Sequence, residues 1–262
     1  MGPFEADRVL AMLLTSGVTN RGRVRPTNED YFAIDPDLRL CVVADGMGGH
    51  NAGEVASTLA VGAILEYLRA PCRTGWPFGF EPSLSEAGNR LRTAIYLANS
   101  RVLEMADECP DYAGMGTTIV AMLVGDGRIT VGHAGDSRLY RFGGGRLTRL
   151  TVDDSWLAGT LADNPDADPE SFRNHPMRNV LTNVVGATSC TDVHVAEVPL
   201  EEGDLLLLTT DGVHGVFDDE HLERLVREGG EPEALAAELV STALDRGSRD
   251  NCTAVVARYL PD

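Results

Sequence analysis

The stretch VVADGMGGHNAGEVAS, from Val42 to Ser57, changes character within a few residues. It begins as a β-branched, apolar run that is typical of a buried strand, and it then passes into Asp45 and a group of glycines. Glycine lets backbone segments approach closely, and Glu54 begins a helical pattern. The stretch therefore predicts a strand that delivers Asp45 to a confined turn before a helix.

Runs with similar β character recur along the chain and are joined by Gly/Asp turns. They are LRLCVVAD (38–45), TTIVAMLV (117–124), RITVGHAG (128–135), SRLYRF (137–142), DLLLLTTD (204–211) and CTAVVARYL (252–260). Helical spacing covers about 53–70, 83–108, 219–228 and 231–246. Strands and helices that follow each other in blocks favour an α+β layered architecture, and we expect one compact domain over residues 1–262.

Two segments lack this periodicity. Residues 71–83 are rich in proline, glycine and aromatic residues and predict a loop between the two long helices. Residues 151–187 have an acidic, proline-rich middle, and we predict that they form an irregular, flexible flap.

Composition narrows the function. The net charge of −18 would repel nucleic-acid phosphates and anionic lipids, so we expect neither nucleic acid nor a membrane as a partner. The N-terminal run MGPFEADRVLAMLLTSG lacks the basic region of a signal peptide and predicts a first strand or lead-in. Separated cysteines without a CxxC motif indicate a reduced, cytoplasmic setting; they are Cys41, Cys72, Cys109, Cys190 and Cys252.

Acidic residues recur at or beside the β-like runs. The places are RPTNEDYFAI (25–34), VVADGMGG (42–49), GHAGDSRLY (132–140), LLTTDGV (207–213) and GSRDNCTAVV (247–256). Taken singly, an Asp-Gly pair is also a common turn. Sheet strands can nevertheless bring distant residues to one edge, where a dense carboxylate cluster would consist of Glu29, Asp30, Asp45, Asp211 and Asp250.

Such a cluster calls for cations, because like charges in a partly dry site repel one another. Oxygen ligands without cysteine or paired histidine favour Mn²⁺ or Mg²⁺ over zinc, and two such ions can clamp a phosphoryl group. We predict that Asp45 bridges the two ions and that Gly46 adds its carbonyl oxygen. Arg25 would offer a bidentate guanidinium to the phosphate.

Together these motifs resemble the metal-dependent serine/threonine protein phosphatases of type 2C, and in particular the compact bacterial members. The similarity rests on RPTNED, VVADGMGGHNAGEVAS, MGTT (115–118), GHAGDSRLY, LLTTDGV and RDNCTAVV, which occur in the family's order and cover nearly the whole chain. The resemblance implies a four-layer α/β/β/α sandwich, in which helix pairs flank two central, mostly antiparallel sheets and the metals lie at one end.

The resemblance also implies residue roles. Metal ligands would be Glu29, Asp45, Gly46, Asp211 and Asp250, and Asp136 with Asp211 would take a third, weaker ion. Asp30 would hold a coordinated water, and Arg25 would grip the phosphate. Support for the site would come from Asn251, Thr117 and Thr118. A water between the ions would attack phosphorus in line, without a phosphoenzyme.

Some positions depart from the family pattern or remain open. Met47 stands where some members carry a histidine, and Asp154 stands where bacterial relatives often have one. Trp156 is expected to be exposed or tucked against the flap. His175 and Arg178 are candidates for substrate binding, although structural roles are favoured. Structural roles are also expected for Cys41, Cys252, His133, His194, His214 and His221.

The main interpretation is a monomeric, cytoplasmic phosphatase that acts on phosphorylated proteins and opposes a bacterial-type serine/threonine kinase. One alternative is a catalytically silent scaffold with the same fold, which the complete acidic set disfavours. Another is a hydrolase of small phosphoesters or of nucleic acid. The charge of −18 disfavours the polynucleotide but leaves small phosphoesters open.

Overall fold

A computed structural model describes residues 12–49, 51–71, 75–173 and 175–260. The strands are β1 Met12–Asn20, β2 Asp30–Asp35, β3 Leu40–Met47, β4 Gly116–Thr117, β5 Ile119–Gly125, β6 Arg128–Ala134, β7 Arg138–Gly143, β8 Arg146–Arg149, β9 His194–Pro199, β10 Leu205–Thr209 and β11 Cys252–Leu260. The helices are α1 Ala52–Arg69, α2 Glu86–Glu108, α3 Trp156–Asp163, α4 Asp211–His214, α5 Asp219–Glu228 and α6 Pro232–Asp245.

The strands form two sheets. One has the order β1-β11-β10-β7-β8, and the other has the order β2-β3-β5-β6-β9, with β4 paired to the end of β3. Every pair of named strands in the described ranges is antiparallel. In the described ranges no helix is long and apolar enough to cross a lipid bilayer.

Among the residues that the structure describes, three hydrophobic cores separate four layers. Residues such as Val43 and Leu206 meet between the two sheets, whereas Val42 and Ile64 belong to the core beneath α1 and α2. The third core joins the outer face of the first sheet to α5 and α6, with Leu207 among its members. This arrangement confirms the α/β/β/α sandwich that the resemblance implies.

The central strands are apolar on both faces because each lies between two cores. Along β3, Cys41 and Val43 face the other sheet, while Val42 and Ala44 face the helices. A fully buried aliphatic side chain of this size contributes about 1.5–3 kcal/mol relative to its exposed form. Continuous apolar runs are therefore the sequence signature of the strands that carry the site.

The structure differs from the sequence expectation mainly at the edges. Strands β8 and β9 are absent from the predicted runs because each is an edge strand with charged residues and only partial burial. The segment 151–187, predicted to be irregular, contains α3 and a 3₁₀ turn at Pro169–Phe172. The predicted first strand is β1, and residues 1–11 lie outside the described ranges.

Candidate metal centre

The acidic residues meet at one end of both sheets. Asp30 begins β2 and lies opposite Asp45 near the end of β3, because the two strands are antiparallel. In the other sheet, Asp211 follows β10 and Asp250 precedes β11, so the same antiparallel logic brings them together. Asp136 lies in the turn between β6 and β7.

A cleft of about 220 Å³ opens at this end. Its lining consists of Arg25, Glu29, Asp45, Gly46, Met47, Gly48, Thr118, Asp136, Asn179, Leu181, Asp211, Asp250 and Asn251. A larger cavity of about 660 Å³ lies between α1 and α2, and its lining includes none of these carboxylates. The smaller cleft is therefore the candidate site, because its lining combines the acidic cluster with Arg25.

Two threonines hold the backbone of Asp45. Its N–H donates to Thr118 Oγ1 at 3.0 Å, and its carbonyl oxygen accepts from Thr117 Oγ1 and from the Thr118 N–H, both at 2.9 Å. Both threonines are buried. Their contacts agree with the structural role expected for them.

The glycines after Asp45 have a packing role. A Cβ atom on Gly46 would lie 2.0 Å from the Gly53 carbonyl oxygen, and one on Gly53 would lie 2.5 Å from Glu29 Oε1. The first turn of α1 therefore presses directly on β3 and on Glu29. His50, in the same stretch, lies outside the described ranges.

Asp30 links the two sheets. It is 5% exposed, and its Oδ2 accepts from Thr210 Oγ1 at 2.9 Å and from Thr253 Oγ1 at 2.6 Å. Both threonines belong to the opposite sheet or to its margin. Its second oxygen, Oδ1, has no hydrogen-bond partner in the described structure.

Asn251 orders the loop that carries Glu29. Its Oδ1 accepts from the Glu29 N–H at 2.8 Å, and its Nδ2 donates to the carbonyl oxygens of Arg21 and Thr27 at 2.8 and 2.9 Å. The Asn251 N–H in turn donates to Asp250 Oδ1 at 2.9 Å. This geometry matches the supporting role expected for Asn251.

Arg25 is already paired. Its Nη2 donates to Asp250 Oδ2 at 2.5 Å, and its side chain is 48% exposed. The hydrogen bond to Asp250 raises the pKa of the guanidinium, which remains positively charged. Sequence reasoning gave Arg25 a phosphate as its partner and did not anticipate this ion pair.

Burial and mutual repulsion disfavour full ionisation of the cluster. Loss of hydration, followed by the charges of Asp30, Asp211, Asp136 and Asp250, raises the pKa of Asp45 well above its usual value. Burial is also the largest cause that raises the pKa of Asp30 and of Asp136, each to about 7. The pKa values of Glu29 and Asp211 are raised by burial as well.

The donor set fits hard divalent cations. Three buried carboxylate oxygens of the site have no hydrogen-bond partner in the described structure: Glu29 Oε1, Asp30 Oδ1 and Asp211 Oδ1. In the described ranges no three His, Cys, Asp or Glu side chains are already arranged to hold an ion. The partnerless carboxylate oxygens are nevertheless the kind of ligand that Mg²⁺ and Mn²⁺ prefer. Mg²⁺ usually keeps several waters, so it needs only a few protein ligands.

The flap segment, residues 151–187, supplies two cleft residues that sequence reasoning missed. Asn179 and Leu181 line the cleft, whereas the candidates His175 and Arg178 are not among its lining residues. His175 instead stacks on Trp156, with ring centroids 4.2 Å apart, so Trp156 is tucked against the flap. The sequence therefore indicated the right segment, residues 151–187, but not the side chains of that segment that line the cleft.

Four of the cysteines and histidines for which structural roles are expected are buried: Cys41, Cys252, His133 and His214. Cys41 and Cys252 are buried in strands, and burial raises the pKa of the Cys41 thiol to about 12, so it is a poor nucleophile. His214 is buried and contacts Thr209 Oγ1 at 3.0 Å. Burial also lowers the pKa of His133 to about 4, which keeps it neutral.

Comparison with known proteins identifies the class to which this four-layer sandwich and its carboxylate cleft belong. Residues 20–246 match the sequence model of the family described as "Protein phosphatase 2C". The chain belongs to this family.

Named relatives are bacterial serine/threonine phosphatases. The serine/threonine phosphatase stp of Listeria monocytogenes is 30% identical over 241 residues, which cover 91% of this chain and 92% of that protein. The serine/threonine protein phosphatase PstP of Mycobacterium tuberculosis is 34% identical over 255 residues and 95% of this chain. The match covers only 46% of PstP, so this chain spans about half the length of that relative.

Solved structures show the same fold. The Mycobacterium tuberculosis phosphatase PstP/Ppp has a TM-score of 0.83 at 33% identity, with 97% of this chain and 100% of that chain covered. The catalytic domain of a PstP in complex with two manganese ions has a TM-score of 0.80 at 31% identity, with 96% and 100% covered.

Proposed function

We propose that this protein hydrolyses phosphoserine and phosphothreonine in proteins and depends on two divalent cations, Mn²⁺ or Mg²⁺. One observation carries the proposal: Glu29 and Asp211, which in the described structure each have a buried carboxylate oxygen without a hydrogen-bond partner, line one cleft together with Arg25. The relatives named serine/threonine phosphatases, and the related structure that contains two manganese ions, support it.

The residues divide the work by position. Asp45 lies among the other carboxylates and is suited to bridge two ions, while Glu29, Gly46, Asp211 and Asp250 would complete their ligands. Asp136 with Asp211 would take a third, weaker ion. Divalent ions bound there would neutralise the cluster and lower the pKa of a water for attack on phosphorus.

The chain's own groups would bind and orient the substrate. Arg25 has a half-exposed guanidinium at the cleft, where the N–H groups that do not contact Asp250 can donate to phosphate oxygens. Asp30, held by Thr210 and Thr253, would orient a water through its free Oδ1. The buried Cys41 and Cys252 offer no rival nucleophile.

The setting of the reaction is part of the proposal. Widely separated cysteines suit a reducing cytoplasm, and the charge of −18 suits protein substrates better than polynucleotides. A cognate serine/threonine kinase would supply the phosphoproteins, and the chain would act as a monomer, with residues 151–187 as a flexible flap over the cleft.

The test is phosphate release from a phosphothreonine peptide and from p-nitrophenyl phosphate, with Mn²⁺ and with EDTA. We expect Mn²⁺-dependent turnover that Asp211→Asn abolishes, because the substitution removes a carboxylate charge from the site. Asp126→Asn is the matched control, since Asp126 is exposed in the turn between β5 and β6.

The rival functions give different outcomes. Absence of turnover with either substrate would contradict the proposal and favour a silent scaffold. A much higher kcat/KM for p-nitrophenyl phosphate and other small esters than for the peptide would favour a small-phosphoester hydrolase.

A further inference from the structure

Asp154, near the start of the flap segment, has a heavily used carboxylate. Its Oδ2 accepts from the Gly135 N–H at 2.9 Å and from Asn183 Nδ2 at 2.6 Å, and its Oδ1 lies 2.9 Å from His194 Nε2. The Asp154 side chain is only 13% exposed. This carboxylate therefore connects position 154 with three other parts of the chain, at Gly135, Asn183 and His194.

Backbone contacts strengthen the same junction. The Asp154 N–H donates to the Gly135 carbonyl at 3.0 Å, and the Thr182 N–H donates to the Asp154 carbonyl at 2.9 Å. Ser155 pairs with Leu181 in an isolated antiparallel bridge. The two ends of the flap segment are therefore held together at Asp154, next to the Leu181 that lines the cleft.

The Gly135 turn leads directly to Asp136. Gly135 has a φ of +102°, and a Cβ there would lie 2.7 Å from Thr118 Cγ2, so the turn packs tightly against Thr118. Thr118 also accepts from the Asp45 N–H. Asp154 therefore makes hydrogen bonds to both the N–H and the carbonyl of Gly135. Because Asp136 is the next residue, its position depends on this turn.

We propose that Asp154 is a positioning residue for the metal site: it ties the flap segment to the Gly135–Asp136 turn and so holds Asp136 beside Asp211 for a third, weaker ion. The inference rests on the proposed metal-dependent function. The same tie places Leu181, and with it the wall of the substrate cleft.

The hydrogen-bonding capacity of a carboxylate explains why an aspartate suits position 154. Its Oδ2 accepts two N–H groups at once, whereas a neutral imidazole has a single acceptor nitrogen and an imidazolium has none. A histidine in place of Asp154 could not make both bonds. This chain instead places a histidine, His194, as the partner of the second oxygen.

The test compares three variants in the full chain. Asp154→Ala removes every side-chain contact, Asp154→Asn keeps one oxygen that can accept from Gly135 and Asn183, and Asp166→Ala changes an exposed acid in the same segment. Metal-free protein is titrated with Mn²⁺ by calorimetry. The rate of tryptic cleavage after Arg173 and Arg178 in metal-free protein reports how firmly the flap segment is held.

We expect Asp154→Ala to weaken the third ion roughly 10-fold or more, as loss of a group that orients a metal ligand does, while the two tighter ions bind as in wild type. Trypsin should cut its flap segment several-fold faster. Asp154→Asn and Asp166→Ala should match wild type in both measurements. If Asp154→Ala does not fold, Asn183→Ala takes its place, with the same direction of change.

Unchanged third-ion affinity or an unchanged cleavage rate in Asp154→Ala would overturn the inference, as would equal behaviour of Asp154→Asn and Asp154→Ala. A wild-type chain that binds two tight ions and no weaker one overturns this inference alone. A wild-type chain that binds no ion overturns the proposed function as well.

Discussion

Asp30 lies directly opposite Asp45 across the antiparallel pair of β2 and β3. Two acidic side chains therefore share one face of a sheet, an arrangement that is destabilising when both are charged. The structure offsets this locally for Asp30, which accepts hydrogen bonds from Thr210 and Thr253 of the other sheet's margin. The site is thus held together by contacts between the sheets as well as within them.

Replacement of one of these threonines should destabilise the protein. Thr253→Val keeps the volume but removes the hydroxyl that donates to Asp30 and contacts Thr19 Oγ1 at 2.7 Å. We expect the free energy of unfolding in urea to fall by about 1–3 kcal/mol, because the buried Oδ2 of Asp30 loses one of its two donors. Thr148→Val, on the exposed side of β8, is the control, and an equal effect of the two changes would contradict the interpretation.

Without metal, stability should fall as the pH rises towards neutrality. The folded-state pKa values of Asp30 and Asp136 are each about 7 against an ordinary 3.8, so the folded state binds protons more tightly than the unfolded state. The stability that these two groups contribute is complete below their ordinary pKa of 3.8, and it is lost as the pH rises through their folded-state pKa of about 7. The lowered pKa values of Asp35 and Asp154 act at lower pH and have the opposite sign. The lowered pKa values of the buried His133 and His214 also have the opposite sign and offset part of the decline.

Urea unfolding in EDTA at about pH 5 and about pH 7.5 measures this effect. Asp136→Asn should show a shallower decline, because it removes one of the titrating groups. Saturating Mn²⁺ should oppose the decline, since the ions bind the deprotonated carboxylates. A decline in Asp136→Asn that is as steep as in wild type would contradict the raised pKa of Asp136.

Arg25→Ala should impair turnover without loss of metal binding. We expect kcat/KM for a phosphothreonine peptide to fall roughly 10²-fold, because a donor to the phosphoryl oxygens is lost. Arg25→Lys should recover only part of it, since lysine lacks the planar fork. Arg23→Ala is the control, because Arg23 is exposed and pairs with Asp245. Unaltered kcat/KM in Arg25→Ala would remove Arg25 from substrate binding.

A methyl group at Gly46 should disrupt the junction of β3 and α1. Its Cβ would lie 2.0 Å from the Gly53 carbonyl oxygen, a backbone atom that cannot move alone. We expect Gly46→Ala to lower the free energy of unfolding by about 3 kcal/mol or more. Gly49→Ala, where no atom lies within 4 Å of the added Cβ, should change it by less than about 0.5 kcal/mol. Similar losses in both would show that tight packing is not the cause.

The parts that sequence predicted well are those encoded locally. The apolar run of β3, the glycines that follow it and the start of α1 adjoin one another in the sequence. Strand, turn and helix could therefore be assigned there from local pattern. The acidic positions could be grouped because each lies at the end of a strand, and antiparallel strands bring such ends together.

The parts that it missed depend on tertiary contacts. The hydroxyl donors to Asp30 come from residues about two hundred positions away, and threonine in a strand has no distinguishing pattern. Strands β8 and β9 lack a continuous apolar run because they lie at sheet edges. Asn179 and Leu181 line the cleft from a part of the flap segment that pairs with Asp154 and Ser155, a contact between residues more than twenty positions apart.

The reach of Asp30 from one sheet to Thr210 and Thr253 has a consequence for folding order. A chain in which only the sheet of β2 and β3 has formed holds Asp30 and Asp45, but it has neither these hydroxyls nor Asp211 and Asp250 in place. Ion capture would then belong to the last stage of assembly, after the slow pairing of segments far apart in the chain. The time at which refolding protein gains Mn²⁺ affinity would then report when the two sheets have packed together.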